Sequence, residues 1–350
     1  MPAGLPRRPR PLREGDLVAL CAPSSGVEPA LFPRLERAIA ALRRRGLRVR
    51  EGATLRRQHQ QCSAPAQERA AELQALLLDP EVAAVLPPWG GERAIELLPL
   101  LDFERLAAAP PKWFSGFSDL STLQLPLCLN AGWMSLHGPN LMELGADTLD
   151  ATTAGVWTAL SLPPGQPLCQ RASPRWQSRG SNWVAQPGAG YTLTEATRWR
   201  RLDGGDAPLR LRGRLIGGCL DTLGRIAGTA FGDLRAWLRR PGMGPHLLFL
   251  ENAEMAPCEL LRALCSLKLH GWFDQAAGVL IGRHAAPRVD APQRLSHEDA
   301  LHAALDALGL PVLVDADIGH VPPQLSLIQG EWADLHWTPD AVELRQAPAS

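Results

Sequence analysis

The chain has 350 residues, 45% of them apolar and 21% charged, with 36 basic and 36 acidic side chains and a formal net charge of zero. That length admits two domains and a core that needs no covalent staples, while the charge balance leaves no footprint for nucleic acid or an anionic membrane surface. No apolar run is long enough to cross a bilayer, and the seven scattered cysteines, without a CxxC pair, argue against a disulfide frame or zinc site and for reduced thiols in a cytoplasmic protein.

Residues 1–14 are basic and proline-rich, with no apolar stretch, and read as a short disordered arm rather than a secretion signal. Residues 15–150 alternate short apolar runs with amphipathic stretches. A buried strand is expected over 17–22, closed by the turn Pro23-Ser24-Ser25-Gly26. A helix follows over 30–45, with Leu31, Leu35, Ile39 and Leu42 on one face, Pro33 in its first turn and Gly46 at its end. Then come a strand over 47–50, a helix over 65–78 and a strand over 82–86 broken by Pro87-Pro88-Trp89-Gly90-Gly91. A helix over 92–101, a strand over 112–117, a helix over 120–130 and a strand over 133–136 complete the series. Strict alternation predicts a parallel sheet covered on both faces.

Residues 151–210 have weak periodicity, and proline, glycine, serine, arginine and tryptophan crowd 163–190. They read as a linker and an irregular excursion over a site. A second α/β pattern occupies 211–350. Its expected strands are 211–216, 246–250, 277–281 and 311–315, and its helices 220–227, 258–269 and 297–308. Gly217-Gly218 is read as a turn, and 332–336 with 342–345 as a terminal hairpin around Thr338-Pro339-Asp340.

Four places could carry chemistry. Ser118, in Gly116-Phe117-Ser118-Asp119, stands between a buried strand and a helix. Such a turn lifts a hydroxyl off the sheet and aims the following N–H groups at an oxyanion, although the same pattern serves as a helix N-cap. Glu251 ends an apolar strand, where parallel sheets line their ligand crevice, or else caps the helix after Pro257. His320 follows another buried strand in a glycine-containing loop; it is a general base or a structural histidine. Gly90-Gly91 lets backbone N–H groups approach a ligand, or forms a plain turn. Asp315 and Asp317 with His284 and His320 lack any known metal-ligand spacing. Trp176, Trp183 and Trp199 fall in the irregular segment, where an aromatic ring could meet substrate or simply pack.

Taken together and in order, these motifs resemble the LD-carboxypeptidase family, which includes the microcin C self-immunity peptidases. The resemblance runs from Gly15-Asp16 through Trp89-Gly90-Gly91, Gly116-Phe117-Ser118-Asp119, His137-Gly138-Pro139 and Gly217-Gly218-Cys219 to Glu251 and Gly319-His320. It implies a flavodoxin-like parallel-sheet N-terminal domain, a smaller α/β C-terminal domain, and an active site between them. It implies a Ser118, His320, Glu251 triad, with oxyanion donors on the backbone of Asp119 and of Gly90 or Gly91. It also implies a homodimer free of metal and cofactor, acting on a peptide or peptide conjugate, such as a murein tetrapeptide that loses its terminal D-alanine. Trp89-Gly90-Gly91-Glu92 stands where the murein enzymes carry R-G-G-Y-G, which tilts the resemblance toward the self-immunity branch. There a peptidyl-nucleotide is the substrate, and Trp176 or Trp183 would stack on its base. A non-catalytic protein that kept the cleft is the rival from another class.

Overall fold

The structure, a computed structural model, describes residues 4–178, 180–287 and 293–347. In chain order the N-terminal part contains β1 (Leu17–Leu20), α1 (Phe32–Arg44), β2 (Arg48–Glu51), α2 (Ala66–Leu78), β3 (Val82–Val85), α3 (Phe103–Ala108), β4 (Trp113–Gly116), α4 (Ser121–Leu129) and β5 (Ser135–His137). Next come α5 (Ala151–Ser161), β6 (Leu168–Arg171), β7 (Arg175–Trp176), β8 (Glu195–Ala196) and β9 (Arg200–Arg201). The C-terminal part contains β10 (Leu209–Cys219), α6 (Leu220–Ile226), α7 (Leu234–Leu238), β11 (His246–Glu251), α8 (Pro257–Leu269), β12 (Ala276–Gly282), α9 (His297–Leu305) and β13 (Val312–Ala316). Last are β14 (Leu327–Gln329), β15 (Trp332–Thr338) and β16 (Ala341–Ala347).

The first sheet runs β14-β5-β4-β3-β1-β2. Its five N-terminal strands are parallel, in the doubly wound order 2-1-3-4-5. β1, β3, β4 and β5 are buried along their whole lengths, which is why they read as continuous apolar runs. α1 covers one face through Leu35, Ala38, Ile39 and Leu42, all fully buried; each leucine or isoleucine contributes roughly 1.5–3 kcal/mol. The second sheet runs β6-β16-β15-β10-β11-β12-β13-β9. Its centre, β10 to β13, is parallel, and β15, β16, β6 and β9 add antiparallel flanks. The terminal hairpin forms as expected.

Several expectations are corrected. Residues 7–14 are not a disordered arm: Arg7 bridges to Trp133, Leu12 donates its N–H to the Leu160 carbonyl at 2.8 Å, and its side chain is buried. Residues 151–210 are more than a linker, since α5 lies there and β6 and β9 form both edges of the second sheet. Residues 94–100 form a 3-10 helix instead of an α-helix, with Pro99 inside it lacking the N–H an α-helix would use. Gly217-Gly218 is no turn. β10 runs through both residues, and they are glycine because a Cβ at Gly217 would strike the Phe249 carbonyl and one at Gly218 the Ser121 side chain. The glycines there permit β11 and α4 to come close. Finally, β14 leaves the C-terminal part and pairs antiparallel with β5, so the two halves share a sheet.

Candidate active site

β4 ends at Gly116, and Ser118 opens a 3-10 turn that leads into α4. The Ser118 backbone is left-handed, with φ 66°, a conformation costly for a residue with a side chain. That turn places the hydroxyl just beyond the carboxyl end of β4, an inner strand of the sheet. Glu251 is the last residue of β11 and is fully buried. His320 lies in the loop after β13. Gly319 precedes it with φ 88°, and a Cβ there would overlap the Glu251 carboxyl, so only glycine lets the loop press onto the acid.

The three side chains meet. His320 Nε2 lies 2.9 Å from Ser118 Oγ, and His320 Nδ1 lies 2.8 Å from Glu251 Oε2. With Nδ1–H donating to the carboxylate, Nε2 is free to accept the serine proton. Burial disfavours the His320 cation, but the charge and hydrogen bond of Glu251, with Asp221 and Glu143 behind, more than offset it and lift the imidazole pKa above its ordinary value. Burial likewise opposes ionisation of Glu251, yet His320 and His137 hold its carboxyl below the usual value. His137 itself is buried and pushed down to about 4, chiefly by desolvation, so it is neutral near pH 7. Phe117 sets its ring against His320 at 4.8 Å and fixes the imidazole plane.

Two cavities open on Ser118 and His320. One, of about 360 Å³, is lined by Glu92, Asp221, Arg225 and Glu254 among others. The second, of about 520 Å³, is mainly apolar and includes Trp89, Met142, Phe117 and Trp183. Gly90 and Gly91 both line the second cavity; Gly90 abuts Ser118, and Gly91 abuts Ser24 and Ser25. A Cβ built on Gly90 would lie 2.7 Å from the Asp119 nitrogen and 2.9 Å from Ser118 Oγ. Neither Gly90 nor Gly91 donates its N–H to a backbone carbonyl among the described residues.

Residues 18–138 match the family model for the LD-carboxypeptidase N-terminal domain, and residues 212–335 the model for the LD-carboxypeptidase C-terminal domain. The chain belongs to the LD-carboxypeptidase family. It is 29% identical over 332 residues to the probable murein peptide carboxypeptidase of Bacillus subtilis (strain 168), covering 94% of this chain and 91% of the relative. It is 32% identical over 271 residues to a putative carboxypeptidase of Streptomyces coelicolor, covering 77% and 73%. It is 25% identical over 327 residues to the microcin C7 self-immunity protein MccF of Escherichia coli, covering 91% and 90%. Among solved structures, MccF in complex with aspartyl sulfamoyl adenosine superposes with TM-score 0.81 at 23% identity, over 98% of this chain and 99% of that one. A muramoyltetrapeptide carboxypeptidase from Oxalobacter formigenes gives 0.72 at 23% identity, over 95% and 100%. These likenesses show the two-domain fold, and family membership makes the chain a serine-type carboxypeptidase.

Of the two tryptophans expected near a substrate, Trp183 shares a cavity with Ser118 and Trp176 does not. Trp183 lines the second cavity, with the Arg34 guanidinium 4.3 Å from its ring centroid. Arg34 also donates to the Pro187 and Ala189 carbonyls at 2.9 and 2.8 Å, which ties the excursion to the N-terminal domain. Trp176 is held elsewhere by the β7–β8 ladder and by Arg283, 5.4 Å from its ring, and lines a cavity without Ser118. Trp199 is core, donating to Asp317.

The sequence alone assigns no role to the side chains that hold this candidate site in shape. The buried Asp119 carboxylate accepts from Ser24 Oγ at 2.5 Å, Ala94 N at 2.8 Å and Thr122 Oγ1 at 3.2 Å. Asp221 accepts from the backbone of Ala253 and Glu254 at 3.0 and 2.9 Å, shaping the loop after Glu251. Asn140 accepts the Phe117 N–H at 3.1 Å, and Glu143 in turn accepts from Asn140 N and Tyr191 Oη, each at 2.7 Å. The only signal for these roles was their place beside strand ends. Cys219, Glu251 and His320 are the one set among the described residues with donors close enough for a metal, all within 4.8 Å. Both imidazole nitrogens are already engaged, and burial drives the Cys219 thiol well up and keeps it neutral, so the set suits a proton relay better than a cation. Asp315 and Asp317 are paired with Arg200 and Arg283 instead.

Proposed function

We propose that Ser118 is the nucleophile, His320 the general base and Glu251 the orienting acid of an LD-carboxypeptidase that hydrolyses a peptide amide. The observation that carries this is the unbroken relay from the Ser118 hydroxyl through both nitrogens of His320 to a fully buried carboxylate. His320 takes the serine proton as Oγ attacks the amide carbonyl. Glu251 holds the imidazole tautomer and stabilises the imidazolium, which then protonates the leaving amine. Backbone N–H groups of Asp119 and of Gly90 or Gly91 hold the oxyanion, each contributing about 3 kcal/mol. Water, deprotonated by His320, releases the acyl group and restores Ser118.

The first substrate is a murein tetrapeptide, which would release terminal D-alanine. The second reading is a peptidyl-nucleotide, and the specific observation favouring it is Trp183, braced by Arg34, facing the cavity that Ser118 opens into. A cytoplasmic homodimer belongs to the same reading through the family resemblance. Mass spectrometry of parallel incubations with a murein tetrapeptide and a peptidyl-adenylate analogue tests it. Cleavage of one and not the other decides the substrate, and Ser118→Ala abolishes that cleavage while the protein stays folded. Cleavage that survives Ser118→Ala refutes the triad, and no cleavage of either favours a binding protein.

A further inference from the structure

A carboxypeptidase must hold the free carboxylate of its substrate, and the two cavities that open on Ser118 contain very little to do so. Across their linings the only guanidinium or ammonium among the described residues is Arg225. It stands in the last turn of α6, exposed, and makes no ion pair or side-chain hydrogen bond among the described residues. Most other arginines of this chain are tied to a partner, as Arg34, Arg69, Arg93, Arg214 and Arg283 are.

None of the acids that line this cavity forms an ion pair with Arg225 among the described residues. Asp119 and Asp221 have both carboxylate oxygens engaged by the N–H and O–H donors named above. Glu259 accepts from the Ala256 N–H at 3.2 Å at the start of α8. Glu92 and Glu254 remain, and among the described residues neither is within ion-pair distance of Arg225. A guanidinium left unpaired beside a nucleophile keeps its fork of donors available for a planar carboxylate. We infer that Arg225 anchors the terminal carboxylate of the substrate in the cavity shared with Ser118 and His320, and so makes the enzyme select free acids. This rests on the peptidase reading above. Arg225 acts on binding and takes no part in proton transfer.

The test is steady-state kinetics of the full chain on a murein tetrapeptide and on the same peptide as its C-terminal amide. In wild type the free acid is preferred. Arg225→Gln should raise KM for the acid by about 10- to 100-fold, as expected for a lost charged hydrogen-bonded pair, with kcat retained and the amide unaffected. Arg225→Lys should recover part of the preference. An unchanged KM for the acid, or an equal rise for acid and amide, overturns the anchor while leaving the triad intact. Turnover of either peptide by Ser118→Ala overturns the parent reading, and the anchor with it.

Discussion

Replacing Gly90 by alanine is the sharpest probe of how this site is built. The new methyl would lie 2.7 Å from both the Asp119 nitrogen and Ser118 Cβ, and 2.9 Å from Ser118 Oγ. Relaxed carbon contacts need about 3.5–4.0 Å, so the Ser118 turn must retreat by about 1 Å. Ser118 cannot absorb this locally, because its left-handed backbone is already strained and Asp119 is fastened by Ser24, Ala94 and Thr122. A displacement of that size costs about 10²-fold in reactivity, and loss of one oxyanion donor costs about 10²–10³. The two effects share one cause and overlap, so kcat should fall by about 10²–10³-fold. Overpacking should lower stability by about 1–3 kcal/mol. The assay is kcat for release of the terminal amino acid, alongside urea unfolding. Gly224→Ala in α6 is the control: its methyl would meet Ala263 at an ordinary 3.4 Å, and helix propensity should raise stability by about 0.5–1 kcal/mol. Unchanged kcat in a folded Gly90→Ala protein would refute the placement of the oxyanion donors.

Two further predictions concern the groups behind the serine. In the proposed role of general base His320 must be neutral, so kcat/KM should rise with pH through its raised pKa. Glu251→Gln removes the negative charge that favours the imidazolium while burial still opposes it, so this limb should move to lower pH and the plateau should drop; a limb that stays in place would refute the coupling. Asp317 pairs with the buried Arg283 guanidinium and accepts from Trp199 Nε1 at 3.1 Å and Ser173 N at 2.9 Å. Asp317→Ala should therefore destabilise by about 3–5 kcal/mol in urea unfolding; a loss under about 1 kcal/mol, the value of an exposed pair, would show that the cluster does not support the His320 loop.

Much of this protein was readable from its residues because local physics fixed it. Buried parallel strands announce themselves as short apolar runs, which is why β1, β3, β4, β11 and β13 were expected close to where they lie. The strand-to-helix junction at Ser118 was visible for the same reason, and so was the placement of Glu251 and His320 after strands. Other features depended on neighbours distant in sequence. Glycine marks both turns and close approaches, and only β11 and α4 lying against Gly217-Gly218 distinguish the second from the first. Nothing in composition separates Trp183 from Trp176; the bracing by Arg34 and by Arg283 does. The three residues of β14 carry no periodicity, and their partner β5 is almost 200 residues away.

The order of most strands and helices, the apolar faces and the positions of Ser118, Glu251 and His320 after strands are set by the sequence itself, because each is a property of a short stretch. Their meeting was decided only by the tertiary structure. Ser118 and His320 are separated by 202 positions and Glu251 and His320 by 69, and hydrogen bonds of 2.9 and 2.8 Å across such separations exist because β14 joins the first sheet, β10 lies against α4, and a glycine at 319 leaves room for the loop to press onto the acid.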